Sequence, residues 1–540
     1  MKRRQFLAAA ACAPMIACGR KTAPALPPGT LAGSGFALGH RLREGNFPKP
    51  TEVRKSPVLI VGGGIGGLSA AWCLQRSGFQ DFQLIELEDQ VGGNARYGEN
   101  PVSRYPLGAH YLPLPGREVR AVRQLLADLG VLLGDPQAER PAYDERYLCH
   151  APMERVYKDG IWEEGLLPRL GASQSERDQF SRFQERMAEF RAARDFLDRR
   201  AFALPIAVGS LDARWLGLEQ VTMAEWLLAE GFDSERLHWY VNYTCRDDYG
   251  TDYRQASAWA GIHYFACRDA HAANAASDAV LTAPEGNGWI VRKLQALCGQ
   301  RALTQAMLYA VDQQNRSVHA DVWLAGEQRT VRYVADHLIW AAPLFLLPHV
   351  AVQLPEPIRQ TAQSGSYAPW LLANLTLRGL PAPGAGAPLA WDNVLYDNGG
   401  LGYVVATHQN IRAAPGPTVL TYYRALADAP PAQAREGLWR YSREAWATVV
   451  LEELARAHGD LPALTTQLDI FRHGHAMLRP LPGVCHQTGR QALAGGWGRI
   501  QFAHADLSGM SLFEEANYHG VRAAEAIMSQ LKIRYQSLLA

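Results

Sequence analysis

The chain has 540 residues, 54 Lys+Arg against 53 Asp+Glu for a formal net charge of +1, and 48% hydrophobic residues. A polypeptide of this length exceeds one ordinary core, so two domains are expected. The nearly cancelled charge, with no Lys/Arg stripe interleaved with aromatics, provides no general attraction to nucleic acid, which is excluded as an expected partner.

The N-terminus opens with Met1-Lys2-Arg3-Arg4-Gln5-Phe6-Leu7 and an apolar run from Ala8 to Ala17. That run is too short to span a bilayer as a mature helix. It resembles a twin-arginine export signal, a route that carries proteins already folded around cofactors. Met15-Ile16-Ala17-Cys18 resembles a lipobox, so Cys18 is a candidate for lipidation and membrane-surface anchoring. The expected location is therefore the periplasm, free or as a membrane-anchored lipoprotein. Residues 19–50, rich in Pro, Gly and Ala, read as a linker.

Val58-Leu59-Ile60-Val61 runs into Gly62-Gly63-Gly64-Ile65-Gly66-Gly67 and an Ala-rich helix, and the next β-run, Leu84-Ile85, ends on Glu86. Each residue has a physical task. Gly62 permits the tight turn, Gly64 lets backbone approach a pyrophosphate, Gly66 lies in the same turn, and Gly67 allows helix and strand to pack closely. The phosphates sit on the free N–H groups at the helix start. Glu86 accepts from both ribose hydroxyls and repels a 2′-phosphate, which disfavours NADP. Beyond it lie Gly92, Gly93 and Arg96, a backbone free to curve around phosphate with a guanidinium beside it.

With the Glu86-x5-Gly92-Gly93-x-x-Arg96 arrangement the chain resembles the flavin-containing amine oxidase superfamily, which includes monoamine and polyamine oxidases and, more distantly, phytoene desaturases. The resemblance implies that these residues wrap an FAD. It extends to Tyr333–Pro343, where the FAD domain resumes, to Ala306–Val311, where the backbone of Val311 would meet the adenine, and to Gly498–Asp506. There Asp506 would bond the ribityl–pyrophosphate region, and a helix from Leu512 to Ile527 would aim its N-terminus at the flavin N1–C2=O edge. The implied fold class is α/β, a discontinuous Rossmann-type FAD-binding domain with an inserted α+β substrate domain. The FAD-binding parts are 51–115, 285–349 and 471–540; the substrate-domain parts are 116–284 and 350–470.

Within the insertions, Phe180, Phe183, Met187, Phe190 and Leu197 recur at helical spacing and read as a packed amphipathic helix. Thr222 and Glu225 form a capping-box pattern. Trp370–Leu377 is strand-like, and Asn398-Gly399-Gly400 marks a turn. Cys73, Cys149, Cys245, Cys267, Cys298 and Cys485 form neither C-x-x-C nor zinc spacing, so no metal is assigned.

Hydride transfer to flavin N5 is largely a positioning task, and an amine donor must lose its proton, which burial favours. No catalytic residue is therefore fixed. The polar candidates are His110, Tyr249 and the His473/His475 pair, of which His475 is retained. The chain departs from the amine oxidase pattern in two places. No lysine occurs between Lys293 and Lys532, where most such enzymes keep one against N5, and Leu512 stands at the usual position of the second cage aromatic. The expected function is FAD-dependent oxidation of an amine, a small molecule, with oxygen, a quinone or a carrier protein as electron acceptor. The alternatives are a desaturase or isomerase acting on an apolar lipid or isoprenoid, and a non-catalytic partner at the membrane surface.

Overall fold

The computed structural model describes residues 25–314, 316–411 and 414–539. The twin arginines and Cys18 lie outside them. The first described elements correct the linker expected over residues 19–50: β1 (Leu31–Gly33) and α1 (Phe36–Glu44) are built into the fold. β1 runs parallel to Ile470–Arg472, and the N–H groups of Leu468 and Ile470 donate to the carbonyls of Pro28 and Thr30. An edge strand bonds along one side only, so the prolines and glycines that suggest a linker are tolerated there.

β2 (Glu52–Val61) carries Val58–Val61, all buried because the strand is covered on both faces. It turns through the glycines into α2 (Ile65–Arg76) and returns as β3 (Phe82–Ile85), parallel to β2 with Val58 opposite Phe82. In the first insertion α3 (Gln174–Ala192) starts from a Ser173/Glu176 capping box and buries Phe180, Phe183, Met187 and Phe190. Leu197 does not belong to that stripe. It lies past the helix end, in a segment that folds back so that the Ala201 N–H bonds the Ala193 carbonyl, and it is 58% exposed. α4 (Met223–Ala229) has the Thr222/Glu225 capping box, and α5 (Glu235–Tyr249) and α6 (Ala258–Ala266) pack with α3 around one aromatic-rich cluster.

β4 (Ala306–Gln314), β5 (Ser317–Leu324) and β6 (Arg329–Trp340) form an antiparallel meander, and β6 aligns parallel to β2 on the side opposite β3. β7 (Tyr367–Leu377), buried at every position, lies between β8 (Thr418–Ala425) and β9 (Thr465–Leu478) in a nine-stranded mixed sheet. β9 is continuous through residue 471, so the second sheet reaches past the expected boundary. β10 (Ile500–Phe502) then pairs with β6, and α7 (Phe513–Gln530) closes the chain against α2. The architecture is a Rossmann-type α/β domain assembled from separated segments, with an α+β domain built from the intervening ones. Among the described residues no helix is long and apolar enough to cross a membrane.

α7 and α2 cross glycine to backbone. A Cβ on Gly520 would run into the Gly66 carbonyl, a Cβ on Gly66 into the Ala503 carbonyl, and Asn517 Nδ2 donates to Ser69 Oγ at 2.9 Å beside the crossing. Gly520→Val is therefore expected to force the helices apart at a cost of about 1–3 kcal/mol, read as a lower thermal unfolding midpoint than wild type.

Candidate functional site

The glycine turn is held from both sides. Gly62 has φ +105°, and any Cβ there would press on the Ala341–Ala342 peptide; a Cβ on Gly67 would strike the Gly62 carbonyl. Gly64 is the N-cap of α2 with no side-chain cap, so first-turn N–H groups remain free for an anion. Across from it Gly92 and Gly93 have φ of +127° and +56°, and a Cβ on Gly93 would lie 3.2 Å from the Gly64 Cα. The two turns thus face each other as bare backbone.

Glu86 is buried at the edge of this cradle. Its Oε2 accepts from the Gly63 N–H at 2.6 Å and its Oε1 from the Glu88 N–H at 2.9 Å, which leaves lone pairs on both oxygens. Burial pushes its carboxyl upward against those two amides. Arg96 is committed locally: it pairs with Glu88 Oε2 at 3.1 Å and donates through Nε to the Gly93 carbonyl at 3.1 Å. The Gly35 N–H donates to Glu88 at 2.7 Å and Arg96 Nη2 to Ser34 Oγ at 3.3 Å, so the start of α1 closes this end of the cradle.

Val311 needs correction. Its carbonyl accepts from the Val352 N–H at 3.0 Å, whereas it is Ala306, whose N–H donates to the Glu86 carbonyl at 2.8 Å, that lies beside the ribose-side acid. The five-residue offset is about 16 Å along a strand. The residue of β4 that lies beside Glu86 is therefore Ala306.

Asp506 is fully buried. Its Oδ2 accepts from the Tyr367 hydroxyl at 2.6 Å and the Leu344 N–H at 2.9 Å. His504 Nδ1 lies 3.2 Å from Oδ1 and 3.1 Å from the Asp506 backbone N, and Oδ1 has no well-aligned hydrogen bond of its own. Burial opposes ionisation, yet His504, Tyr367 and Leu344 outweigh it and lower the carboxyl to about 2. Leu512, the N-cap of α7, offers no side-chain cap, and Ser511, Leu512 and Phe513 line the adjoining cavity.

That cavity has a volume of about 180 Å³ and lies between the two domains. Gly108, Ala109 and His110 form one wall; Tyr111, Trp370 and Tyr423 supply aromatic surface; Asp247, Asp248, Arg268 and Glu514 supply charge. Burial lowers His110 to about 4, so its ring is neutral. Tyr249 is a correction: its hydroxyl bonds the Ala260 carbonyl at 3.0 Å inside the helical cluster, away from the cavity wall. His475 is another. It is exposed and stacks on Phe345 at 4.8 Å, while its neighbour His473 lines the cavity with Nε2 2.7 Å from the Leu107 carbonyl. A bulge between Ala368 and Trp370 in the β7–β9 pairing breaks the alternation that would have put both histidines on one face. Among the described residues no three His, Cys, Asp or Glu side chains are grouped to hold a metal ion.

Sequence reasoning missed Asp247, Asp248, Arg268 and Glu514. One signal was present: two acids close α5, at the helix end where the dipole opposes them.

A family model described as an NAD(P)-binding Rossmann-like domain matches residues 60–129. Tryptophan 2-monooxygenase of Allorhizobium ampelinum is 34% identical over 100 residues, 18% of this chain and 13% of that protein. Polyamine oxidase 2 of Arabidopsis thaliana is 28% identical over 153 residues, 26% of this chain and 29% of that protein. The matches span less than a third of either relative. Among solved structures, cyclohexylamine oxidase from Brevibacterium oxydans IH-35A superposes with a TM-score of 0.63 at 15% identity, over 89% of this chain and 100% of that one. Residues 60–129 thus match a Rossmann-like domain, the chain is similar in sequence to these relatives over a limited span, and it has the fold of cyclohexylamine oxidase.

Tyr367→Phe removes a charge-assisted bond to a buried carboxylate and is expected to cost about 1.5–3 kcal/mol at neutral pH, measured by chemical denaturation. Folding lowers Asp506 from an ordinary 3.8 to about 2, so the contribution is complete above its unfolded value and is lost as pH falls through the folded one. The wild-type advantage should shrink over that window.

Proposed function

We propose that this chain is an FAD-dependent oxidoreductase that oxidises an amine. The observation that carries the reading is convergence: the Gly62–Gly67 and Gly92–Gly93 turns face each other as bare backbone, Gly66 lies against Ala503 and Ala516 of the closing segment, whose uncapped start of α7 lines the cavity, and two buried acids, Glu86 and Asp506, hold unused acceptor capacity. The residues fit FAD. Glu86 would take the ribose hydroxyls, the start of α2 the pyrophosphate, Asp506 Oδ1 a hydroxyl donor, and the start of α7 the pyrimidine edge of the flavin. When bound, the flavin supplies a hydride acceptor at N5.

The chain's own work is to hold a substrate C–H bond in line and to keep the amine unprotonated. Tyr111, Trp370 and Tyr423 give the cavity aromatic, poorly solvating surface, which favours the free amine, and His110 and His473 line it as neutral rings. An acyl or isoprenoid substrate would have to lie against Asp247, Asp248, Arg268 and Glu514, which argues against the desaturase and isomerase alternative. The missing lysine favours a quinone or carrier protein over oxygen as electron acceptor. Arg3, Arg4 and Cys18 support export and anchoring at a membrane face.

The purified protein is expected to be yellow, and its flavin band to bleach anaerobically with an amine; bleaching only by an apolar polyene would overturn the assignment. Glu86→Ala should weaken FAD retention about tenfold or more, read as flavin released on gel filtration. Replacing Arg3 and Arg4 together by lysine should leave the protein in the cytoplasmic fraction.

A further inference from the structure

A cationic patch lies where α1 meets the helix Pro431–Arg440, and the amine-oxidising reading leaves it unused. α1 starts at the Glu88 end of the cradle and lays Phe36 against Trp439 at 4.4 Å, with the His40 ring 3.8 Å from Phe36. Phe36 is 42% exposed. Trp439 packs on bare backbone, since a Cβ on Gly33 or Gly474 would meet its ring. Around these rings stand three arginines: Arg472 covers Trp439 at 4.2 Å, Arg435 donates Nη1 to the Tyr367 carbonyl at 3.0 Å, and Arg43 is exposed.

The patch lacks matching acids. Burial lowers both Arg435 and Arg472, and no carboxylate offsets it in either. Glu88 is taken by Arg96 and the Gly35 N–H, Glu436 by Arg440, and Glu44 stands exposed at the end of α1. Burial of its packed face first, then the charges of Arg435, Arg43 and His40, lower His475 to about 4, so all three groups gather about that ring. An aromatic centre with an unpaired guanidinium rim has the make-up of a protein-docking surface. Its sign selects an acidic partner.

The same residues lead inward. His475 stacks on Phe345 at 4.8 Å, Phe345 meets Tyr367 edge-on at 4.8 Å, and the Tyr367 hydroxyl donates to Asp506 at 2.6 Å. Asp506 is the acid to which the proposed function gives a hydroxyl of the coenzyme.

We infer that this patch docks an acidic one-electron carrier protein, with Tyr367, Phe345 and His475 as the ring series through which electrons reach it. The inference rests on the flavin-binding part of the proposed function, independently of the amine, and gives the electron acceptor a place and a charge. The hydride taken from a substrate leaves as two electrons and one proton. Two carrier molecules in succession take one electron each, and the proton goes to water. Anionic lipid would meet the same charges, but it gives no use to a ring series that ends on Asp506.

The test uses the FAD-loaded protein with its flavin reduced anaerobically by light and EDTA, so that no substrate is involved. Reoxidation of the flavin band is followed with ferricyanide, an anionic one-electron acceptor, and with hexaammineruthenium(III), a cationic one, at low and high salt, with and without poly-L-glutamate. Ferricyanide reoxidation should fall about tenfold from low to high salt and be inhibited by poly-L-glutamate at low salt, whereas hexaammineruthenium(III) should show neither effect. Arg43→Glu should remove part of both effects and Arg43→Glu with Arg435→Gln nearly all, while Arg534→Glu in the C-terminal segment should remove neither. Phe345→Leu should slow reoxidation by ferricyanide with its salt dependence kept. The same salt dependence in wild type and the double variant overturns the docking surface. An unchanged rate in Phe345→Leu, with flavin content and thermal midpoint intact, overturns the route. Phosphatidylglycerol vesicles that bind wild type but not the double variant, with no inhibition by poly-L-glutamate, assign the patch to lipid and overturn the inference. A protein that holds no flavin refutes the proposed function; poly-L-glutamate binding that the double variant loses would then keep the acidic-partner surface, and its absence would refute that surface too.

Discussion

Bare backbone contact at a few glycines governs this structure. Gly67 packs on the Gly62 carbonyl, Gly66 on the Ala503 carbonyl and Gly520 on the Gly66 carbonyl, so the first glycine turn and the closing segment, more than 400 residues apart in sequence, touch with no side chain between them. Each glycine costs conformational entropy, and the return is positional. The uncapped start of α2 is thereby fixed against the first turns of α7. Helix ends with free N–H groups are unfavourable unless water, a cap or a ligand serves them.

The buried carboxylates divide into two kinds. Glu515 accepts from Ser508 and from the Ile206 N–H, Asp392 from two tyrosines and Asp248 from Arg268, and these acids tie elements together. Glu86, Asp506 and Glu514 keep unused capacity, as does the half-buried Asp247 in the cavity wall. A buried acid lacking a donor costs free energy, so its persistence points to a partner that arrives from outside the chain. Glu86 lies on the glycine turn, Asp506 holds the Leu344 N–H and the Tyr367 hydroxyl, and the other two line the cavity.

Local features were legible in the sequence. The β2–α2–β3 unit, the Thr222/Glu225 capping box and the closing helix are each specified by residues a few positions apart. Non-local features were not. β1 is a strand only because β9 offers it an edge, and composition cannot show that. Val311 illustrates register: the apolar pattern located β4, but the pairing decides which residue lies beside Glu86, and that is Ala306. His473 and His475 illustrate a bulge, which reversed the expected choice between two residues two positions apart. Asp247 and Asp248 adjoin Tyr249 in sequence, yet their place in the cavity wall depends on Arg268 and Tyr111 arriving from other elements.

The claim underlying all of this is that the separated glycine segments and their acids grip one flavin dinucleotide. The most direct measurement is the FAD content of the purified, folded protein, followed by titration of any apoprotein with FAD and observation of the flavin band and the thermal midpoint together. The account predicts a tightly held, stoichiometric flavin whose binding raises the unfolding temperature. A well-folded protein that stays colourless and unshifted in excess FAD would contradict it.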